Sequence, residues 1–137
     1  MKSITIQTVV QADIGKVWEL WTTPKDIEVW NHASDDWECP HAKNDVRAGG
    51  TFLYTMSAKD GSTTFDFTGA YTEVIPFQTL SYTITGGRTV TVTFKEEGGS
   101  VTIVETFEME DINPEEMQRN GWQSILNNFK EYVESHS

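Results

Sequence analysis

Apolar side chains recur with two different periods along this chain, and the change of period divides it. From Gly49 to Met109 they alternate with polar residues, the signature of strands with one buried face. From Asn113 onward they return at three- and four-residue spacing, the signature of an amphipathic helix. Asn113 is expected to be the N-cap, Pro114 the first helical residue and Glu116 the partner in a capping box, with the helix running to Ser137. Met117, Trp122, Ile125, Leu126, Phe129, Tyr132 and Val133 form its expected apolar face, and Gln118, Arg119, Gln123, Asn127, Lys130 and Glu131 its polar face. Gly121 falls within the apolar stripe, where it costs about 1 kcal/mol relative to a good helix former. Either close packing on a sheet or a cavity accounts for it.

The strands fall out of the alternation. Ile4, Ile6 and Val10 open the chain. Phe52, Tyr54 and Met56 form the next apolar row, followed by Phe65, Phe67 and Tyr71, by Leu80, Tyr82 and Ile84, by Val90, Val92 and Phe94, and by Val101, Ile103, Phe107 and Met109. Hairpin register must set apolar opposite apolar, because a one-residue slip turns every side chain over. A Gly98-Gly99 turn then pairs Phe94 with Ile103 and Val92 with Glu105. A Lys59–Ser62 loop pairs Met56 with Phe65 and Tyr54 with Phe67. A Pro76–Thr79 loop pairs Ile75 with Leu80 and Tyr71 with Ile84. A Thr85–Gly87 loop pairs Tyr82 with Val90 and calls for a bulge.

Between the first strand and this run lie two short helical patterns. Asp13 caps a helix carrying Ile14, Val17, Trp18 and Trp21, and Thr23-Pro24 starts a second one ending near Trp30. Residues 31–44 show no period and are expected to be a polar loop, with a strand starting at Asp45–Arg47. The order gives an α+β fold. We expect a curved antiparallel sheet of about six or seven strands, wrapped around the long C-terminal helix, in one domain spanning residues 1–137.

Charge narrows the partners. The chain has 137 residues and a formal net charge of −11, which disfavours nucleic acid and anionic membranes. No apolar run is long enough to span a bilayer and no signal-peptide pattern opens the chain, so a cytoplasmic location is expected. The single cysteine, Cys39, fits a reducing compartment. A monomer or a dimer paired through an edge strand are both open.

One set of motifs has a known likeness. Trp18-x-x-Trp21-Thr22-x-Pro24 with Trp30, then Arg47-x-Gly49-Gly50, then Gly69-x-Tyr71-x-Glu73-x-Ile75-Pro76, then Gly121-Trp122 ahead of Leu126, resembles the START-like or SRPBCC superfamily. Within it, the chain is similar to the branch containing the C-terminal domain of activators of the ninety-kilodalton heat-shock chaperone ATPase. The resemblance implies the helix-grip fold of birch-pollen-allergen-like proteins. It also implies a deep apolar cavity for a lipid-like, aromatic or polyketide-like ligand. Two departures stand out. The chaperone activators carry a separate N-terminal domain for which this chain has no room, and Asn31-His32 replaces a frequent second tryptophan after Trp30.

The residues expected to line a ligand cavity are Trp30, Tyr54, Met56, Phe65, Phe67, Tyr71, Tyr82, Glu105, Phe107, Trp122 and Ile125. Glu105 is the candidate of most interest, because it sits on the apolar parity of its strand. A carboxylate there must be paired or hold its proton. It could orient a ligand or move a proton. A bulge could instead turn it outward, or Arg88 or Arg47 could pair with it. The hydroxyls of Tyr54, Tyr71 and Tyr82 could be polar contacts of the cavity or reach water at the rim. His32, Asp35, Asp36, Cys39 and His41 have the side chains for zinc but match no closed ligand spacing, so no metal is expected. A Cys39–His41 nucleophile has no geometric support. Gly49-Gly50 lacks the spacing of a phosphate loop. Glu108, Glu110, Asp111, Glu115 and Glu116 suit the start of a helix. No cofactor is expected. The function expected first is non-enzymatic binding of a small hydrophobic ligand. A polyketide cyclase or dehydratase-type enzyme using Glu105, with Tyr54 or Tyr82 as donor, comes next, and a stress- or chaperone-related protein-interaction domain third.

Overall fold

The computed structural model describes residues 2–136. Met1 and Ser137, the expected last helical residue, lie outside them. The chain runs β1 (Ser3–Val10), α1 (Ile14–Thr22), α2 (Pro24–Trp30), β2 (Trp37–Asn44), β3 (Thr51–Ala58), β4 (Thr64–Ile75), β5 (Thr79–Ile84), β6 (Arg88–Glu97), β7 (Ser100–Glu108) and α3 (Glu115–Ser135). The strands form one curled antiparallel sheet in the order β1-β7-β6-β5-β4-β3-β2.

Three of the expected registers are present. Phe94 faces Ile103 and Val92 faces Glu105, Met56 faces Phe65 and Tyr54 faces Phe67, and Tyr82 faces Val90. The Thr85–Gly87 connection needs no bulge. It is a 3₁₀ turn in which Gly86 and Gly87 take positive φ, and the ladder resumes unshifted at Ile84–Arg88. The β4–β5 connection is one residue shorter than expected. Thr79 pairs with Ile75, and Phe77 takes positive φ at 66°. A bulge at Thr72 then resets the register, so Tyr71 faces Tyr82 and Gly69, not Tyr71, faces Ile84.

The stretch expected to be loop contains β2, and Asp45–Arg47 is a turn closed by an Arg47–Asp45 ion pair. The reason is local. Two residues of β2, Cys39 and Pro40, stand opposite one residue of β3, so the bulge breaks the alternation. Cys39 and Ala42, three apart, are both buried. Pro40 is tolerated because β2 is an edge strand. Helix α2 guards that edge, with Glu28 Oε2 accepting the Ala42 N–H at 3.0 Å.

The two short helices start where expected. Asp13 accepts the Lys16 N–H at 2.9 Å. Pro24 occupies the first turn of α2, although the Thr23 side chain makes no cap bond. Helix α3 departs from expectation at its own start. Pro114 is the N-cap and Asn113 makes no cap; its amide donates to Glu110 instead. Gln118, placed by polarity on the outer face, is buried. It closes the loop before the helix by accepting the Glu110 N–H at 2.9 Å and donating to the Glu110 and Asn113 carbonyls at 3.1 and 2.8 Å. Met117, placed on the apolar face, is 60% exposed. Helical geometry explains both: 118, 122, 125, 129 and 133 form one stripe, and 117 lies at its margin.

Helix α3 lies along edge strand β1. Arg119 donates to the Thr5 carbonyl at 3.1 Å, Gln123 to Gln7 at 3.3 Å and Lys130 to Val9 at 2.6 Å. Four helical residues rise about 6 Å. Two strand residues span about 6.8 Å. Arg119 and Gln123, four residues apart, therefore meet Thr5 and Gln7, two apart, and Lys130, seven residues farther along, reaches Val9 through its long side chain. Leu126, Phe129 and Val133 seal the core below, where Trp21 and Trp30 meet Phe129 edge-on with centroids 4.8 and 4.9 Å apart.

Gly69 is a packing requirement. A Cβ there would lie 2.4 Å from the Phe52 ring. Gly69→Ala is expected to lower unfolding free energy in urea by roughly 1–3 kcal/mol, through overpacking of a buried aromatic.

Candidate functional site

Because α3 packs on the β1 side, the β3–β5 side of the sheet is left partly uncovered. A cavity of about 420 Å³ lies between that side and the helix. Each element contributes by its parity. Strand β3 supplies Tyr54 and Met56, β4 supplies Phe65, Phe67 and Tyr71, β5 supplies Tyr82 and β7 supplies Glu105. Trp30 closes the end beneath α2, and α3 supplies Trp122 and Ile125. Ten of the eleven residues expected at a cavity therefore surround this one.

Phe107 is the exception. It is fully buried, and Trp122 stacks on it with centroids 4.0 Å apart and planes 9° apart. Its ring supports the wall without lining it. Phe65, 50% exposed, stands at the mouth beside Met117, Arg88, Glu110 and Asn113. Gly121 faces open space, since a Cβ there would meet nothing within 4 Å. Of its two explanations, the cavity is the one the structure supports.

Glu105 stays on the inner face. Neither ladder of β7 slips, so no bulge turns it out; it lies opposite Ile6 of β1 and Val92 of β6, both buried. It is 6% exposed. Neither proposed arginine partner reaches it: Arg47 pairs with Asp45 on the surface, and Arg88 donates to the Glu108 carbonyl at 3.4 Å. Among the described residues no hydrogen bond or ion pair engages its carboxyl. Burial alone pushes its pKa from 4.5 up to about 8. At neutral pH this carboxyl therefore holds its proton.

The tyrosines form an ordered set. Tyr71 donates to Asn44 Oδ1 at 2.6 Å, and Asn44 donates in turn to the Thr22 carbonyl at 2.9 Å. Tyr54 lies beside Tyr71, and that proximity adds to the rise of its pKa. Burial pushes Tyr71 up to about 12 and holds Tyr54 and Tyr82 well above the usual phenol range; the nearby Glu105 charge adds to the shift of Tyr82. All three therefore remain neutral at physiological pH.

The residues weighed for metal or nucleophile chemistry are apart from this site. Cys39 is buried on the α2-facing edge strand, with its Sγ 3.6 Å from the His41 carbonyl oxygen, and burial pushes its pKa up to about 11. The thiol is protonated and a poor nucleophile. Among the described residues no three His, Cys, Asp or Glu side chains converge as metal ligands. Among the described residues no helix is long and apolar enough to cross a membrane.

Several lining residues were hidden from the sequence. The sequence places Trp21 and Leu126 only on apolar helix faces, Asn31 in a loop and Gln118 on the polar face; all four line the cavity. Only Gln118 left a signal, its place four residues before Trp122.

Glu105 sets a pH dependence. The folded protein keeps this proton while the unfolded chain releases it near pH 4.5. Its contribution to stability is complete below that pH and is lost as pH rises to about 8. The lowered carboxyls of Asp60, Glu108, Glu115 and Glu134 act at more acid pH and do not mask it. Glu105→Gln should therefore flatten the stability profile across this window. Above its upper end the variant should be the more stable protein in urea unfolding, by up to about 5 kcal/mol.

Comparison with known proteins agrees with this architecture. The family model described as Activator of Hsp90 ATPase homolog 1-like protein matches residues 11–134. The solution structure of an AHSA1-like protein from Aeromonas hydrophila shares 41% identity over 98% of this chain and 94% of its own, with a TM-score of 0.92. A protein from Cytophaga hutchinsonii shares 48% identity over 98% of this chain and 93% of its own, with a TM-score of 0.85. At 23% identity, a Chromobacterium violaceum protein shares the fold, with a TM-score of 0.88 over 98% of this chain and 99% of its own. No functionally curated protein matches. The chain belongs to the Activator of Hsp90 ATPase homolog 1-like family, within the START-like, or SRPBCC, superfamily.

Proposed function

We propose that this protein binds a small hydrophobic ligand, lipid-like, aromatic or polyketide-like, between α3 and the sheet. The observation that carries the proposal is the cavity of about 420 Å³ walled by aromatic rings, with Glu105 as its one unpaired buried carboxyl. Its size falls in the range of small-molecule sites, and a few placed polar groups in an apolar wall are how such sites orient a guest. The absence of a Cβ at Gly121 supports the same reading, since the room it leaves belongs to the cavity. A cytoplasmic setting goes with this reading, supported by the single cysteine held as a thiol.

A second reading is an enzyme of the cyclase or dehydratase type. It is favoured by the raised pKa of Glu105, which places a proton donor and acceptor near neutrality beside Tyr82. In that case Glu105→Gln would abolish turnover of a bound substrate while leaving its affinity nearly intact.

The binding proposal is tested by amide NMR titration with long-chain alcohols, flavonoids and aromatic polyketides. Saturating shifts are expected at Tyr54, Phe67, Glu105 and Trp122. Gly121→Leu should fill the cavity and weaken the same titration by roughly tenfold or more, with the fold intact by circular dichroism. Shifts that do not saturate, or affinity unchanged by the filled cavity, would remove the proposal.

A further inference from the structure

The chemistry of the cavity wall narrows its ligand. Several polar groups in the wall donate their protons to partners inside the protein. Tyr71 donates to Asn44 Oδ1 at 2.6 Å. Trp30 donates to the Leu20 carbonyl at 3.0 Å, and Asn31 donates to Met56 Sδ at 3.8 Å. The Gln118 amide donates twice into the loop before α3. The Tyr71 oxygen, its proton given to Asn44, remains an acceptor in a wall made largely of aromatic rings. Glu105 adds a carboxyl with no partner of its own.

We propose, building on the hydrophobic-ligand reading, that this cavity selects a protonated amine on a hydrophobic frame, with the Glu105 carboxylate as counter-ion and the surrounding aromatic rings as a cage. An ammonium supplies N–H donors to unsatisfied oxygens and positive charge to the negative faces of Tyr54, Phe67, Tyr82 and Trp122. It also supplies what the protein withholds from Glu105. The one cation at the cavity, Arg88, is engaged with the Glu108 carbonyl and does not act on the Glu105 carboxyl. A buried carboxylate left without a counter-charge is costly, and a ligand that brings one recovers that cost on binding.

The outer field points the same way. The chain carries a net charge of −11, and Glu110 stands at the mouth. Such a field draws cations in and repels anions. A ligand carboxylate would set two acids against each other in a dry site. A neutral alcohol or ketone could take one hydrogen bond from Glu105 but would leave the ring faces and the long-range field unused.

Three probes share one frame and differ only in the head group: 4-phenylbutylamine, 4-phenylbutanol and 4-phenylbutanoate. Each is titrated at pH 7.5 by calorimetry, with tryptophan fluorescence as a second readout because Trp30 and Trp122 line the cavity. The amine should bind at least about tenfold more tightly than the alcohol, and the carboxylate more weakly than both. In Glu105→Gln the amine should fall to within about threefold of the alcohol. If the alcohol or the carboxylate binds as tightly as the amine, or if the amine preference survives in Glu105→Gln, the amine proposal is overturned and the hydrophobic-ligand reading stands. If none of the three binds, both fall.

Discussion

The cavity depends on where the long helix is anchored. An edge strand presents carbonyls that no neighbouring strand can pair, and in β1 those of Thr5, Gln7 and Val9 accept from Arg119, Gln123 and Lys130 of α3. The near-match between four helical residues and two strand residues sets the first two contacts, and the long Lys130 side chain reaches the third. Two needs are met together: the strand edge is covered against other chains, and the helix is held to one side of a curled sheet. From that asymmetry follows the gap over β3, β4 and β5. A helix centred on the sheet would have filled the gap with Trp122 and Ile125.

The aromatic residues then divide by distance from the anchor. Near it, Trp21 and Trp30 pack tilted against each other and both meet Phe129 edge-on in a closed cluster. Farther away, Phe52, Tyr54, Phe67 and Tyr82 pack on one another along the sheet and leave one side free. Trp122 links the two parts, stacking flat on Phe107 and meeting Phe67 edge to face. Rings held this way keep their shape when the cavity is empty, which lowers the ordering cost of binding.

Glu105 is where fold stability and function pull apart. Its neighbours across the sheet are Ile6 and Val92, and an aliphatic residue at its position would suit them better. The chain instead keeps an unpaired carboxyl, charged with difficulty, at the wall of an otherwise apolar space. Local sequence–structure consistency is broken at this one inward position of β7, and such breaks cluster at functional sites. The same residue links binding to protonation, because any guest that stabilises its charged form must displace its proton.

The sequence by itself determined the class of fold, the strand rows and most of the hairpin registers, because period and turn length are local properties that one buried face enforces. It also placed Glu105 on the inner face, since parity alone decides which side of a strand a residue takes. The chain did not reveal β2, where a bulge and Pro40 erase the alternation, nor the one-residue shift after Ile75, where Phe77 takes a conformation that favours glycine. It did not reveal Gln118, whose burial is balanced by three hydrogen bonds to a loop that only the folded chain brings near. Tertiary structure decided whether Gly121 meant contact or space, whether either arginine would reach Glu105, and which aromatics would be wall and which core. Those outcomes turn on the seat of α3 across the sheet, a relation between residues more than a hundred positions apart, and no local pattern carries it.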